Sequence, residues 1–598
     1  MKTSVILIIC SLFFVGMKAQ ELEDIKFNKS QTHFFYVKDR DSLFMRDVKG
    51  NEPPTFITKG CDVHTNSTFR RWVNNDKEIM FENPKGLFVY NIRKSKVRKI
   101  ENSENYSFFI FYFIDQITNH DNKVYFSAKK KGEKYFDLYQ LDLSVYKISK
   151  IKKLDKHYIA NVTVSLDGKQ LAYSYYDVVS SYPSSGLDII DIETNKTIYS
   201  QTKKDSTFYS NLSFNKLGNL LYRDIHSDNF ILKGVNSNKG ISIDTLSTEK
   251  YGYFIKYIAK NKILTFFPGK IKRTYNVFDA NKKESILLLT GSNIFIRSIK
   301  EKATGFSLYY SKENGKTPQS LLHVDFKNDV RNNEKLVFSV EKKNPLKNVN
   351  YQVTSYTNGG GTKSEAYLYF PKDYKGLSKI PLVVMVYGCY SDQYPSPNYF
   401  LNDAIFKLLD KGYAIARLNT RGICENRMFD GYGKIQLEDT ELFLNEISKQ
   451  FKIDTNKIIA AGHSHGGTMV YYYLTHSNKF AAGLAFNGAA DWIKQANLSS
   501  ITGLPGEMGG KPYEFPEKYK EYSPIENIHP KMKPMFVVAG GKDKQIPASF
   551  NAQQFKNEAE KRKVKVDYLY FEQEGHLIMD HYNRKILFTQ LFNFLKSI

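Results

Sequence analysis

Hydrophobic and polar positions follow different rhythms in the two halves of the chain. Between residues 30 and 315, short strand-like runs recur. They are Phe34-Phe35-Tyr36, Ile79-Met80-Phe81, Val124-Tyr125-Phe126, Leu171-Ala172-Tyr173, Leu220-Leu221-Tyr222, Ile263-Leu264-Thr265 and Leu308-Tyr309-Tyr310. Taken at positions 35, 79, 124, 171, 220, 263 and 308, they stand 43 to 49 residues apart. That is about the length of one four-stranded propeller blade. The segments between them alternate by two and break at turn residues. Ser165-Leu166-Asp167-Gly168-Lys169-Gln170 leads into one run, and Glu193-Thr194-Asn195-Lys196 follows the alternating Leu187 to Ile192. This grammar specifies antiparallel hairpins. An all-β propeller over residues 21–340, seven-bladed, is the expectation. A β-sandwich would need so narrow a range of intervals to be accidental.

The rhythm changes near residue 350. Strand-like runs, at Pro381 to Tyr387, Ala414 to Asn419, Lys457 to Ala461, Ala481 to Phe486, Pro534 to Ala539 and Val564 to Phe571, alternate with helical patterns, and Pro381 to Tyr387 is continuously apolar. Leu444, Ile447 and Phe451 share one helix face. Unbroken apolar strands are those buried on both faces. The pattern predicts a doubly wound, mostly parallel α/β sheet over residues 350–598, with functional side chains at the carboxyl ends of its strands.

One motif sits at such an end. Gly462-His463-Ser464-His465-Gly466-Gly467 follows the strand ending at Ala461 and precedes a helical pattern, the setting of a nucleophile elbow. A serine hydroxyl needs a base to take its proton, and in such a fold the acid and then the histidine come later in the chain. Asp543 follows the Pro534 to Ala539 strand, and His576 follows the strand ending at Phe571. Ser464, Asp543 and His576 are the expected catalytic residues. His476, His529 and His581 are rival histidines better placed for capping or surface roles, and Glu572 and Glu574 are too near His576 in sequence to orient it. The backbone N–H of His465, after the nucleophile, is one expected oxyanion donor.

These residues carry a family resemblance. The elbow, Gly540-Gly541-Lys542-Asp543 and Glu574-Gly575-His576 resemble the prolyl oligopeptidase family of serine peptidases. Tyr387-Gly388 is similar to that family's oxyanion tyrosine motif, so the resemblance implies that the Tyr387 hydroxyl is the second oxyanion donor. Arg421-Gly422 and Asp491-Trp492 resemble segments at its substrate site, which makes Arg421 and Trp492 expected substrate-binding residues. The resemblance also implies a propeller that admits only short peptides. Cys389 and Cys424 stand where the family usually has glycines, and the chain has no adjacent Glu-Glu pair of the kind dipeptidyl-peptidase members use to hold a peptide amine. The expected function is a serine peptidase acting on short peptides through an acyl-enzyme, after proline or another small or apolar residue. The alternatives are a serine esterase or acyl hydrolase on small esters and a catalytically silent peptide-binding protein.

The remaining features add context. Lys2, the apolar run Val5 to Val15 and the small Ala19 before Gln20 form an expected signal peptide over residues 1–19, which implies export to the periplasm or beyond. No later apolar run reaches membrane-spanning length. The net charge of +24 falls by two when Lys2 and Lys18 are removed. The lysines are scattered, so a solvated basic surface is expected and no nucleic-acid partner. Cys61, Cys389 and Cys424 would remain after cleavage, too few for a disulfide framework. No metal or other cofactor is expected.

Overall fold

The structure, a computed structural model, describes residues 22–598 apart from 39–41, 61–69, 84, 108–116, 134, 157, 178–183, 204–208, 216–217, 225–228, 235–242, 247–252, 259–261, 269–272, 280, 292, 328–329, 340–345, 387–399, 423–432, 499–507 and 509. The expected signal segment, all the cysteines and Tyr387 therefore lie outside the described residues. The chain divides into two compact units. One runs to residue 313 and includes 319–340; the other comprises 314–318 and 341–598. Among the described residues no helix is long and apolar enough to cross a membrane.

The first unit is a propeller-like series of small antiparallel sheets. They are formed by residues 22–58, 71–99, 106–156, 158–203, 209–246, 253–291 and 294–339, each with its main strands in chain order. The recurring apolar segments are the second strands of these sheets. The reason is burial. A second strand is bonded on both edges and covered on both faces, so Phe35, Met80, Phe126, Leu171, Leu220, Ile263 and Leu308 are all fully buried. Each such side chain contributes about 1.5–3 kcal/mol relative to exposure.

Local turn chemistry sets the register. The Ser165 amide donates to the Gln170 carbonyl at 2.9 Å, and the Ser165 hydroxyl donates to Asp167 at 2.6 Å. Gly168, at φ +72°, completes that turn. In the 158–203 sheet, Leu171 thereby pairs with Val164 on one side and Ile190 on the other.

Neighbouring sheets join through apolar side chains. Leu138, Leu171 and Tyr173 share one such cluster, and Ala172, Leu187 and Leu220 share the next. The last sheet also meets the first. Ile25, Phe34 and Tyr36 pack with Tyr309 and Leu321, the Phe27 and Tyr309 rings lie 4.4 Å apart, and Gln31 donates to the Ser298 hydroxyl at 2.8 Å.

The second unit is built on an eight-stranded sheet. In chain order its strands are β1 (Asn350–Thr357), β2 (Lys363–Phe370), β3 (Ile380–Met385), β4 (Ala414–Leu418), β5 (Ile453–His463), β6 (Ala482–Phe486), β7 (Met535–Gly540) and β8 (Val566–Phe571). Their spatial order is β1-β2-β4-β3-β5-β6-β7-β8. Strands β3 to β8 are parallel, while β1 and β2 are antiparallel additions at one edge.

Alternation along the strands assigns the two faces. Ile459, Ala461, Leu484 and Phe486 point into the large core beneath helices α1 (Phe400–Asp410) and α7 (His581–Lys596). Gly483 faces the other way, where an added Cβ would meet Leu474 and Val470 of helix α3 (His465–His476) within 3 Å. On that side Tyr471 of α3 meets Phe555 of α6 (Ala552–Lys561) at 4.2 Å. The Tyr473 and Thr440 hydroxyls bond α3 to α2 (Lys434–Gln450) at 2.9 Å.

Candidate active site

Strand β5 ends at His463, and α3 begins at His465. Ser464 alone makes the turn, at φ 58° and ψ −124°. A non-glycine residue there carries strain of order 1–3 kcal/mol, which persists only where the surroundings enforce it. Two backbone bonds hold it: the Ser464 amide donates to Phe486 O at 2.9 Å, and the Thr468 amide donates to Ser464 O at 3.1 Å. Small neighbours let helix and sheet close in. A Cβ on Gly462 would lie 2.4 Å from Gly466 O, and one on Gly467 would lie 2.7 Å from Phe486 O.

The three residues expected from sequence meet here. His576 Nε2 is 2.9 Å from Ser464 Oγ, and its Nδ1 is 2.7 Å from Asp543 Oδ2. A carboxylate accepts only, so Nδ1 carries the hydrogen and Nε2 is free to accept the serine proton. Asp543 is buried and takes four donors. His576 Nδ1 and Asn487 Nδ2 (3.0 Å) reach Oδ2, while the amides of Gln545 (2.9 Å) and Ile546 (3.0 Å) reach Oδ1. Burial by itself would raise the Asp543 pKa. The hydrogen bond and charge of His576, with the Ile546 and Asn487 donors, outweigh it and hold the carboxyl below its ordinary value.

The strand ends explain the convergence. The sheet is parallel from β3 to β8, so β5, β7 and β8 deliver Ser464, Asp543 and His576 to one edge. Gly540 allows the last two loops to touch: a Cβ there would stand 2.1 Å from Gly575 O.

The other expected residues have specific places. The His465 backbone N–H lies in the first turn of α3, where amides point out of the helix end. Its buried ring lies 6.2 Å from that of Trp492. Trp492 opens a short helix and packs in a small core with Ala489, Met508, Tyr519 and Ile546. Arg421 is engaged within its own unit. Its backbone N–H and Nε donate to Asp439 at 2.7 and 2.8 Å, and its Nη2 meets Glu438. Asp439 is fully buried and also accepts from the Gly359 amide at 2.9 Å. The guanidinium therefore ties the loop after β4 to α2, whose Asp439 also holds the β1–β2 turn. Among the rivals, His476 ends α3 and His581 begins α7. Glu574 accepts from the Met579 and Asp580 amides and from Asn583, which folds the loop carrying His576.

Sequence reasoning missed Asn487. It follows β6 at φ 47° and is buried, with its amide 3.0 Å from Asp543 and 3.3 Å from Gly575 O. An asparagine just past a strand at the functional edge, able to adopt a left-handed conformation, was the available signal.

Residues 400–598 match the model of the prolyl oligopeptidase family. Dipeptidyl-peptidase 5 of Aspergillus oryzae is 23% identical over 254 residues, which cover 40% of this chain and 35% of the fungal protein. Peptidase YuxL of Bacillus subtilis is 24% identical over 201 residues, covering 32% of this chain and 30% of its own length. The chain thus spans about a third of the length of the curated relatives it matches. Solved structures extend the likeness to nearly the whole chain. A puromycin-hydrolyzing peptidase of Mycobacterium tuberculosis has a TM-score of 0.69 at 14% identity, over 98% of this chain and 95% of that one. Dipeptidyl peptidase 4 of Porphyromonas gingivalis has a TM-score of 0.61 at 15% identity, over 96% and 89%. At these identities the shared property is the fold.

Proposed function

We propose that this chain, whose hydrolase unit belongs to the prolyl oligopeptidase family, is a serine peptidase that cleaves short peptides through an acyl-enzyme on Ser464. The observation that carries this reading is the continuous hydrogen-bonded line from Ser464 Oγ through His576 to Asp543.

That line gives the chemistry. His576 Nε2 takes the Ser464 proton as Oγ bonds to the substrate carbonyl carbon. Asp543 holds the imidazole in its required tautomer and stabilises the imidazolium. The developing oxyanion accepts from the His465 backbone N–H and, by family resemblance, from the Tyr387 hydroxyl. The imidazolium gives its proton to the leaving amine as the C–N bond breaks, leaving an ester on Ser464. Water, deprotonated by the same His576, then releases the acid and restores the serine. By family resemblance, Trp492 and Arg421 belong to the substrate-binding segments.

The proposal extends to the whole chain. Residues 1–19 act as a signal peptide for export to the periplasm or beyond. Residues 21–340 form a closed seven-bladed propeller that limits substrates to short peptides, and residues 350–598 form the catalytic domain. The succession of small sheets and the packing of the last on the first support the propeller reading.

The test is cleavage of a mixed-length peptide library by the wild type and Ser464→Ala, read by mass spectrometry. Serine-dependent cuts confined to short peptides are expected. Full cleavage by Ser464→Ala, or no cuts by either protein, overturns the peptidase reading, and turnover of small esters alone moves it to an esterase.

A further inference from the structure

His463 precedes the nucleophile, and the reaction as written does not use its ring. The ring is buried, with Nε2 2.6 Å from the backbone carbonyl oxygen of His576. A carbonyl only accepts, so Nε2 carries a hydrogen and donates it. Burial, and then the neighbouring His576, push the His463 pKa down to about 3, so the ring is a neutral donor at ordinary pH.

The acceptor matters because it belongs to the very residue whose ring relays the proton. Other anchors of this loop act elsewhere. Glu574 ties the segment beyond His576, and the Lys542 amide donates to Glu574 O at 2.8 Å. Asn487 reaches the preceding carbonyl, that of Gly575, at 3.3 Å. Only His463, among the described residues, has a side chain bonded to the backbone of His576. The two rings also touch, with centroids 4.8 Å apart and planes at 52°. Because His463 and Ser464 are adjacent in the chain, the bond ties the backbone of the base to the backbone of the nucleophile.

We propose that His463 is a positioning residue, whose Nε2–H donor to the His576 carbonyl holds the imidazole at bonding distance from Ser464 Oγ. This rests on the reading of Ser464, His576 and Asp543 as the active site. Displacement of a reacting group by about 1 Å costs on the order of 100-fold in rate.

The experiment measures the rate at which a fluorophosphonate probe labels Ser464, which needs the activated serine and no knowledge of the substrate. His463→Phe keeps a ring and loses the donor. His463→Gln keeps an amide N–H near the Nε2 position. His463→Asn carries the same amide on a stem one carbon too short. Labelling roughly 10- to 100-fold slower is expected for Phe and Asn, with recovery to within a few-fold of wild type for Gln. On any peptide that is cleaved, kcat falls in the same pattern while KM stays level. Thermal midpoints separate misfolding from mispositioning, and Asn against Gln keeps the comparison intact where Phe fails to fold. Wild-type labelling by Phe and Asn, or a Gln variant as slow as Asn, overturns the proposal. Labelling that survives Ser464→Ala sinks the active-site reading instead. A chain that labels but cuts no peptide sinks only the peptidase reading.

Discussion

The two units solve the same folding problem in opposite ways. In the first, each small sheet is made almost entirely of consecutive strands, and its register is set by nearby turns such as Ser165–Gln170. In the second, the sheet runs β1-β2-β4-β3-β5-β6-β7-β8, and Ser464 meets His576 across 112 residues. Local pairing repeats one design, so each position resembles its counterparts in the other sheets. Long-range parallel pairing makes positions unique, and it gathers the carboxyl ends of distant strands at one edge. The candidate site therefore lies in the second unit and apolar repetition in the first.

Three measurements press on this contrast. The largest effect is expected from Asp543→Asn. An amide can present its NH2 group to His576 and invert the tautomer, so kcat falls about 1,000- to 10,000-fold while the thermal midpoint moves little. Steady-state kinetics beside a melting curve check this, and an equal loss of stability would mean that Asp543 is mainly structural.

Leu171→Ala belongs to the first unit and reverses the pattern. Leu171 is fully buried on the second strand of its sheet. Its truncation destabilises by about 2–5 kcal/mol, while Ser464 in the folded fraction labels with the probe at the wild-type rate. Denaturant unfolding followed by labelling reads both. A slowed label in fully folded protein would show that the contrast between the units is too sharp.

The smallest effect is a pH dependence. Unfolding releases His463 from a site where its pKa is about 3 to one where it is ordinary. The unfolded chain then binds the extra proton, so stability falls as pH drops below about 6.5 and continues to fall until the folded value is reached. At pH 5 the His463 contribution to that loss is about 2 kcal/mol. His463→Gln removes it, so the variant loses less stability than the wild type between pH 7 and pH 5. Identical acid sensitivity in the two proteins would show that His463 is not buried as a neutral ring.

Much of the fold and of the site was legible because local physics marks it. The recurring segments around Phe35, Ile79 and Leu171 stand out because a strand covered on both faces favours apolar side chains. Ser464 is marked by Gly462 and Gly466, which the tight elbow requires. Asp543 is marked by the buried strand that precedes it, and His576 by the strand ending at Phe571. Strand β1 was not recognised. It lies at the sheet edge with one neighbour, and its mixed exposure leaves no apolar run to read.

What the sequence determined by itself was therefore the kind of most elements and the three side chains that meet at the candidate site, since both follow from periodicity and from residue type at strand ends. Tertiary structure decided the rest. The closing contact of Phe27 and Phe34 with Tyr309, the commitment of Arg421 to Asp439, and the grip of Asn487 and His463 on the loop of His576 join residues tens to hundreds of positions apart. No local pattern announces such pairs, because a buried polar side chain is defined by the partner the fold brings to it.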